Sequence, residues 1–196
     1  MKDLLGKLIL IVGPSGSGKG TVINVLKKQY PGFVYPASYT TREPRKDEED
    51  GEVYHFVSEG RFKKMIEEGD LLEFAIVHGM DYYGTAKHEI VDALKSGAIV
   101  VREVDIQGFE SIKDIIPSEN LVSIFMKVRE EEDLRRRILL RGELPEDEIQ
   151  HRMESMKKEI ARAGECDYQV ENVWGKLDDC VKHVEKIILA EIKDLY

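Results

Sequence analysis

The segment that decides the fold is Gly13-Pro14-Ser15-Gly16-Ser17-Gly18-Lys19-Gly20-Thr21. The apolar run Leu8–Val12 precedes it, and an apolar pattern typical of a helix follows it at positions 22 to 26. A strand, a glycine-rich turn and a helix in this order place successive backbone N–H groups around an anion at the helix N-terminus. The lysine adds a positive charge for the terminal phosphates of a nucleotide. The segment therefore predicts a phosphate-binding loop.

Position 20 departs from the usual form of this motif. A serine or threonine normally follows the lysine and binds Mg²⁺ through its hydroxyl. This chain has Gly20 there, with Thr21 one place later. We expect residues 13–21 to bind the phosphates of a nucleotide, whereas the way in which the metal is held is left open.

Composition limits the class of protein. A chain of 196 residues with a formal charge of −9 fits one α/β domain and argues against a nucleic-acid-binding surface. Cys166 and Cys180 lack metal-binding spacing, so we expect reduced, packed thiols. No apolar leader is present, and no apolar run approaches the roughly 20 residues of a membrane span. We therefore expect a cytoplasmic protein that binds neither nucleic acid nor membrane; the sequence leaves open whether it is a monomer or a homo-oligomer.

Predicted strands and helices alternate along most of the chain, which indicates a parallel sheet flanked by helices on both faces. Helices are expected to begin after Ser58 and end at Gly69, and to span 87–95, 107–115, 131–140, 146–164 and 177–192. Residues 33–45 are predicted as a short strand that runs into a loop. Together with the strand patterns at 53–57, 71–77 and 82–85, they predict an inserted β-rich lobe. The fold class is therefore α/β with a parallel core sheet.

Four further stretches resemble guanylate kinases, in the same order along the chain. They are Ser38-x-Thr40-Thr41-Arg42-x-Pro44-Arg45 with Gly51-x-x-Tyr54, then Glu73-x-x-x-x-His78-Gly79-x-x-x-Tyr83-Gly84-Thr85, then Asp105-Ile106-Gln107-Gly108, and Arg137-x-x-x-Arg141-Gly142. The resemblance extends from about Lys7 to Asn172.

This resemblance implies a P-loop kinase that moves the γ-phosphoryl group of ATP to GMP, and also to dGMP, with Mg²⁺, giving ADP and GDP in purine nucleotide metabolism. It implies a single domain over 1–196. The core would span about 1–34, 87–134 and 153–196, with a GMP-binding lobe at about 35–86 and a lid at about 135–152.

The matching positions in the lobe carry residue types that suit the phosphate of GMP. Arg42 and Arg45 lie three apart, and paired guanidinium groups match the three oxygens of a phosphate. The hydroxyls of Tyr54 and Tyr83 would complete this clamp.

Other positions suit the guanine base, which presents donors at N1 and N2 and an acceptor at O6. Ionised carboxylates only accept hydrogen bonds, so Glu73 and Asp105 would accept hydrogen bonds from N1–H and N2–H of guanine. The hydroxyls of Ser38 and Thr85 would face O6 or the remaining edge.

The resemblance also implies that residues 13–21 bind ATP, and that three arginines act in catalysis together with Lys19. Arg137, Arg141 and Arg152 match the lid arginines, which would stabilise charge on the transferred phosphoryl group. Asn172 matches a position near the base of ATP, although its neighbours depart from the family pattern. Arg135 and Arg136 match nothing and are expected at the surface.

The chain departs from the family at Glu103, where Asp is usual, and carries an extra residue near Met80-Asp81. We expect Glu103, which follows Arg102, to reach metal-bound waters; the alternative is that it pairs with a basic neighbour. Two functional alternatives are kept. One is a module that binds a phosphopeptide in the same groove, and the other is a kinase for another base, since Gly18-Lys19-Gly20-Thr21 resembles adenylate kinases.

Overall fold

The phosphate loop follows β1 in a computed structural model that describes residues 3–45, 48–77, 81–128, 130–139 and 146–195. The described residues form eight strands, which are β1 (Lys7–Val12), β2 (Ser38–Thr40), β3 (Tyr54–Phe56), β4 (Leu71–Val77), β5 (Asp81–Ala86), β6 (Ile99–Val104), β7 (Leu121–Lys127) and β8 (Tyr168–Glu171). They also form seven α-helices, which are α1 (Lys19–Gln29), α2 (Glu59–Glu68), α3 (Lys87–Lys95), α4 (Ile106–Lys113), α5 (Glu131–Leu139), α6 (Glu146–Ala161) and α7 (Leu177–Ile192).

The core sheet is parallel throughout, in the order β6-β1-β7-β8. The five residues of β1 from Leu8 to Val12 have no exposed surface, because apolar residues cover both faces of this central strand. Ile9 and Ile11 pack with residues of α1 and α7, whereas Leu8, Leu10 and Val12 pack with residues of α3 and α4. This confirms the predicted α/β core and places the loop after β1 at the carboxyl edge of the sheet, where open α/β sheets bind ligands.

A second sheet, with the order β3-β2-β5-β4, forms the β-rich lobe. β2 pairs in parallel with β3 and antiparallel with β5, and β5 pairs antiparallel with β4. The pairing of β4 with β5 shifts register between Leu71 and Glu73. The lobe also carries α2, which begins as predicted: the Ser58 side chain accepts a hydrogen bond from the Arg61 N–H, and Gly69 ends the helix in a left-handed conformation.

Two parts of the chain differ most from the sequence prediction. The short strand predicted at the start of 33–45 is a single parallel bridge from Val34 to Val100, and the short strand β2 forms where the sequence predicted a loop. Pro36 lies between them, and proline has no N–H to donate to a strand partner. The long helix α6 ends at Ala161, and a short 3₁₀ turn, Ala163–Glu165, takes the place of its predicted last residues.

Cys166 and Cys180 are buried free thiols, as the packing role predicted. Burial raises the pKa of each thiol to about 11. No helix within the described ranges is long and apolar enough to cross a membrane.

Candidate active site

The phosphate loop lies between β1 and α1, as the sequence predicted. Gly18 caps α1 with a φ of 95°, in the left-handed region, and a Cβ there would stand 2.3 Å from Nδ2 of Asn172. Only glycine fits this position without strain. The ammonium of Lys19 donates hydrogen bonds to the carbonyls of Gly13 (2.6 Å) and Pro14 (3.0 Å), so it lies folded over the loop backbone.

Two side chains from distant parts of the chain hold this loop. Asn172, which is buried, donates from Nδ2 to the carbonyl of Ser17 at 2.8 Å. Arg137 donates to the carbonyls of Ser17 (3.3 Å), Gly16 (3.5 Å) and Asn172 (2.8 Å). The structure therefore brings one predicted lid arginine and the predicted ATP-site asparagine onto the loop itself.

An open cleft of about 490 Å³ lies beside the loop. Its lining includes Gly16, Gly18, Thr21, Arg137, Asn172, Val173, Trp174, Gly175 and Leu177. Trp174 is about two-fifths exposed, and the guanidinium groups of Arg136 and Arg137 lie 5.2 and 5.7 Å from the centre of its ring. We did not predict a role for Trp174, although it is the single tryptophan of the chain.

A second cavity, of about 180 Å³, lies between the core and the lobe. Seven of its lining residues were predicted as site residues from the sequence, namely Lys19, Ser38, Tyr54, Glu73, Tyr83, Glu103 and Asp105. The lining is completed by Ala75, Gly84, Arg102 and Val104. The structure thus brings the loop lysine and both predicted base-reading carboxylates to one cavity.

The two carboxylates meet beside Gly108. A Cβ on Gly108 would stand 3.3 Å from Oε2 of Glu73 and 3.5 Å from Oδ1 of Asp105. Asp105 caps α4 by accepting a hydrogen bond from the Gly108 N–H (2.7 Å), and Thr85 donates its hydroxyl proton to Oε1 of Glu73 (2.5 Å). Burial raises the pKa of Glu73 above its usual range.

Arg42 lies against Tyr54, an aromatic residue that lines the second cavity. Its guanidinium stands over the rings of Tyr54 (5.3 Å) and Phe56 (5.7 Å), and the rings of Tyr54 and Tyr83 meet edge to face at 5.8 Å. Nη2 of Arg42 donates to both carboxylate oxygens of Glu48 at 2.8 Å.

Glu48 also accepts a hydrogen bond from the backbone N–H of Arg45 at 2.8 Å, whereas the Arg45 side chain is exposed. The cluster therefore already holds an anion, the carboxylate of Glu48. From the sequence this glutamate was part of a charged turn, and no local pattern distinguished it from its acidic neighbours.

Two further charged groups were missed. Arg102 donates from Nε to Thr85 (3.1 Å), from Nη1 to the carbonyl of Pro36 (2.8 Å) and from Nη2 to Ser38 (2.5 Å). Glu159 on α6 has a buried oxygen, Oε2, for which the described part of the chain offers no hydrogen-bond partner. Burial, together with the negative charge of Asp105, raises the pKa of Glu159 to about 7, while the charge of Lys19 opposes that rise.

Arg141 is outside the described residues, and Arg152 belongs to α6, with a side chain that is also outside the described part. Glu103 lies beside Gly20, because a Cβ there would stand 3.5 Å from its Oε2. Arg135 pairs with Glu146 (2.6 Å), and Arg136 is exposed as predicted.

Comparison with known proteins agrees with this geometry. A family model described as guanylate kinase matches residues 5–191. A guanylate kinase of Tropheryma whipplei (strain Twist) is 41% identical over 170 residues, which cover 87% of this chain and 87% of that protein. A guanylate kinase of Helicobacter pylori (strain ATCC 700392 / 26695) is 41% identical over 188 residues, or 96% of this chain and 87% of that protein. The crystal structure of guanylate kinase from Anaplasma phagocytophilum matches with a TM-score of 0.73 and 27% identity, covering 97% of this chain and 88% of that one. This chain belongs to the guanylate kinase family.

Proposed function

We propose that the two cavities hold the two substrates of this enzyme, ATP on the phosphate loop and GMP between the core and the lobe. Family membership gives the reaction, which is phosphorylation of GMP to GDP with ATP as donor. One observation carries the site assignment: Lys19 of the phosphate loop lines the same cavity as Glu73 and Asp105. A nucleotide base against those carboxylates would therefore share its cavity with the lysine of the ATP loop.

In this arrangement guanine donates hydrogen bonds from N1–H and N2–H to Glu73 and Asp105, and O6 accepts a hydrogen bond from a hydroxyl of the lobe. Adenine lacks the N2 amino group and carries an amino donor where guanine has the acceptor O6. It would therefore leave buried acceptors of the site unpaired. The GMP phosphate would replace the Glu48 carboxylate at Arg42, with Arg45 and the hydroxyls of Tyr54 and Tyr83 beside it. No assigned side chain reads the ribose 2′-hydroxyl, so the proposal includes dGMP.

The transfer itself needs positioning and positive charge more than covalent chemistry. Lys19 would contact the β- and γ-phosphates, and Arg137 lies against the carbonyls of Gly16 and Ser17, at the mouth of the ATP cleft. Arg141 and Arg152 complete the proposed lid set. A guanidinium in this place neutralises charge that develops on the equatorial oxygens.

Mg²⁺ is the metal that an ATP-using kinase generally needs, where it neutralises charge on the β- and γ-phosphates. The described residues hold no group of three or more His, Cys, Asp or Glu side chains placed to bind an ion. They do place one exposed carboxylate, Glu103, beside Gly20. Such an oxygen donor fits an ion that keeps most of its waters and takes its other ligands from nucleotide phosphates.

The experiment is a coupled assay of ATP against GMP, dGMP, AMP, CMP and UMP. GMP is expected to exceed AMP by several orders of magnitude in kcat/KM, as in sites where the wrong ligand leaves buried polar groups unpaired. Glu73→Gln should reduce that preference, because an amide offers one acceptor in place of two and adds a donor.

Glu67→Gln is the matched control, since Glu67 is an exposed glutamate of α2 in the same lobe. A preference for AMP in the parent chain would favour the kinase for another base, and absence of transfer would favour the peptide-binding module. Unchanged discrimination by Glu73→Gln would show that another residue reads the base.

A further inference from the structure

Arg102 lies where the core sheet meets the lobe. It belongs to β6, and its alternate neighbours on the same strand face, Val100 and Val104, are buried. An arginine in such a row must find hydrogen-bonding partners, because burying an unpaired charge is unfavourable. Two of the partners that Arg102 finds, Ser38 and Thr85, are hydroxyls already assigned to the guanine edge.

We propose that Arg102 is a positioning residue for guanine recognition, which sets the hydroxyls of Ser38 and Thr85 so that the cavity offers a donor to O6 and acceptors to N1 and N2. This inference rests on the proposed placement of GMP in the cavity. A merely structural role, tying β6 to the backbone of the lobe through the carbonyl of Pro36, is the alternative to be tested.

The direction of each hydrogen bond follows from the chemistry of the guanidinium group, which donates and never accepts. Thr85 therefore accepts from Nε of Arg102 (3.1 Å), and its own proton goes to Glu73 (2.5 Å). Ser38 accepts from Nη2 (2.5 Å), so its proton points elsewhere. The adjacent positive charge favours a negative ligand atom such as O6 over a positive one such as the amino group of adenine.

The same positive charge acts on Glu73. Burial and the charge of Asp105 raise the pKa of Glu73. The hydrogen bond from Thr85 and the charge of Arg102 lower it. Two further charged residues, Lys19 and Glu103, line the same cavity. Removal of Arg102 leaves the raising effects less opposed. Glu73 would then hold its proton to a higher pH, and a protonated carboxyl presents a donor where N1–H needs an acceptor.

The test compares the full-length parent with Arg102→Leu and Arg102→Lys. Initial rates with ATP are measured for GMP, IMP and AMP between pH 6 and 8.5, and thermal unfolding checks the fold. Arg61→Leu is the control, because Arg61 is an exposed arginine of the same lobe that pairs with Glu68 on its own helix.

Arg102→Leu is expected to raise KM for GMP about tenfold to a hundredfold, with a much smaller change in kcat, as when a buried hydrogen-bonding network loses a member. The ratio of GMP to AMP activity should fall by about tenfold or more, and the pH below which GMP binding weakens should move up. Arg102→Lys keeps the positive charge but loses the planar guanidinium group that bonds to several partners at once. It should therefore keep the parental pH profile and raise KM for GMP several-fold.

A folded Arg102→Leu enzyme with the parental base preference and pH profile would overturn the inference. An equal loss of activity with GMP and with AMP, without a shift in the pH profile of the rate, would also overturn it. If the leucine variant does not fold, the lysine variant decides: a raised KM with the parental pH profile supports the proposal, and a parental KM contradicts it. A parent chain that itself fails to prefer GMP would contradict the proposed function and, with it, this role of Arg102. A parent chain that prefers GMP, together with an Arg102→Leu variant that keeps the parental base preference and pH profile, would contradict only the role of Arg102.

Discussion

Gly20 and Glu103 face each other at the start of α1, where a Cβ on Gly20 would stand 3.5 Å from Oε2 and 3.8 Å from Oε1 of Glu103. Those are ordinary van der Waals distances, and Gly20 is not among the glycines with positive φ. A serine therefore fits at position 20 without strain and would place its hydroxyl beside the carboxylate. This relationship links the unusual glycine of the phosphate loop to the glutamate that replaces the usual aspartate.

We predict that Glu103→Gln raises the Mg²⁺ concentration needed for half-maximal activity by about tenfold, the lower end of the effect of removing an outer partner of a bound metal. Affinity for GMP should change little. Gly20→Ser in the same chain should restore part of the metal affinity by supplying a direct ligand. The readouts are Mg²⁺ titrations of the rate and calorimetry of ATP binding with and without Mg²⁺. An unaltered Mg²⁺ titration in Glu103→Gln would show that the Glu103 carboxylate has no part in holding the metal.

Lys19→Ala should lower kcat by at least roughly 10²–10³, the range for removal of one electrostatic partner of a transition state. Its ammonium donates hydrogen bonds to the carbonyls of Gly13 and Pro14, so its removal should lower the free energy of unfolding by about 1–2 kcal/mol, a small effect beside the loss of rate. Initial rates and urea unfolding measure the two effects. Lys28→Ala, at an exposed lysine of the same helix, is the control; near-parental turnover in Lys19→Ala would contradict the phosphate-loop assignment.

Arg137 and Arg136 form a matched pair, since both lie over Trp174 but only Arg137 hydrogen-bonds to the phosphate loop. Arg137→Ala should lower kcat by roughly 10³, in the range of arginines that stabilise phosphoryl transfer, with little loss of GMP affinity. Arg136→Ala should change only KM for ATP, by a few-fold, because an exposed cation–π contact contributes about 0.5–1 kcal/mol. Steady-state kinetics with each substrate varied separates these effects. Equal kcat values for the two variants would show that Arg137 does not contribute to phosphoryl transfer.

The sequence predicted best what depends on local pattern. Periodicity located α2, α3 and α7, and the glycine pattern located the phosphate loop. Over 33–45 the sequence predicted one short strand before a loop, whereas the structure has a bridge at Val34 and the strand β2, with Pro36 between them.

The side-chain network of the site was less predictable, because its members are distant in sequence. Arg102 meets Ser38 across 64 positions, and Asn172 meets Ser17 across 155. Alternation along β6 assigns Arg102 to a buried strand face, but only the placement of the lobe shows which groups it contacts. The two carboxylates were found because each follows or interrupts a recognisable apolar run.

Glu159 is a titrating group whose effect on stability has a definite sign. Its pKa in the folded chain is about 7, against about 4.5 for an unperturbed glutamate. Between these values the folded chain holds a proton that the unfolded chain has released. By linkage, the free energy of unfolding therefore falls as pH rises from about 4.5 to about 7 and is constant above that range as far as this group is concerned.

We predict that Glu159→Gln removes this dependence, because an amide does not ionise. The variant should match the parent in stability near pH 5, where Glu159 is protonated, and exceed it by on the order of 2 kcal/mol at pH 8. Urea unfolding at pH 5, 6, 7 and 8 gives the difference in unfolding free energy directly, and other groups cancel between the two chains. Glu154→Gln, at an exposed glutamate of α6, should show no such trend. A constant difference between Glu159→Gln and the parent from pH 5 to pH 8 would mean that Glu159 does not titrate in this range, and that its unpartnered oxygen is accommodated as a charge beside Lys19.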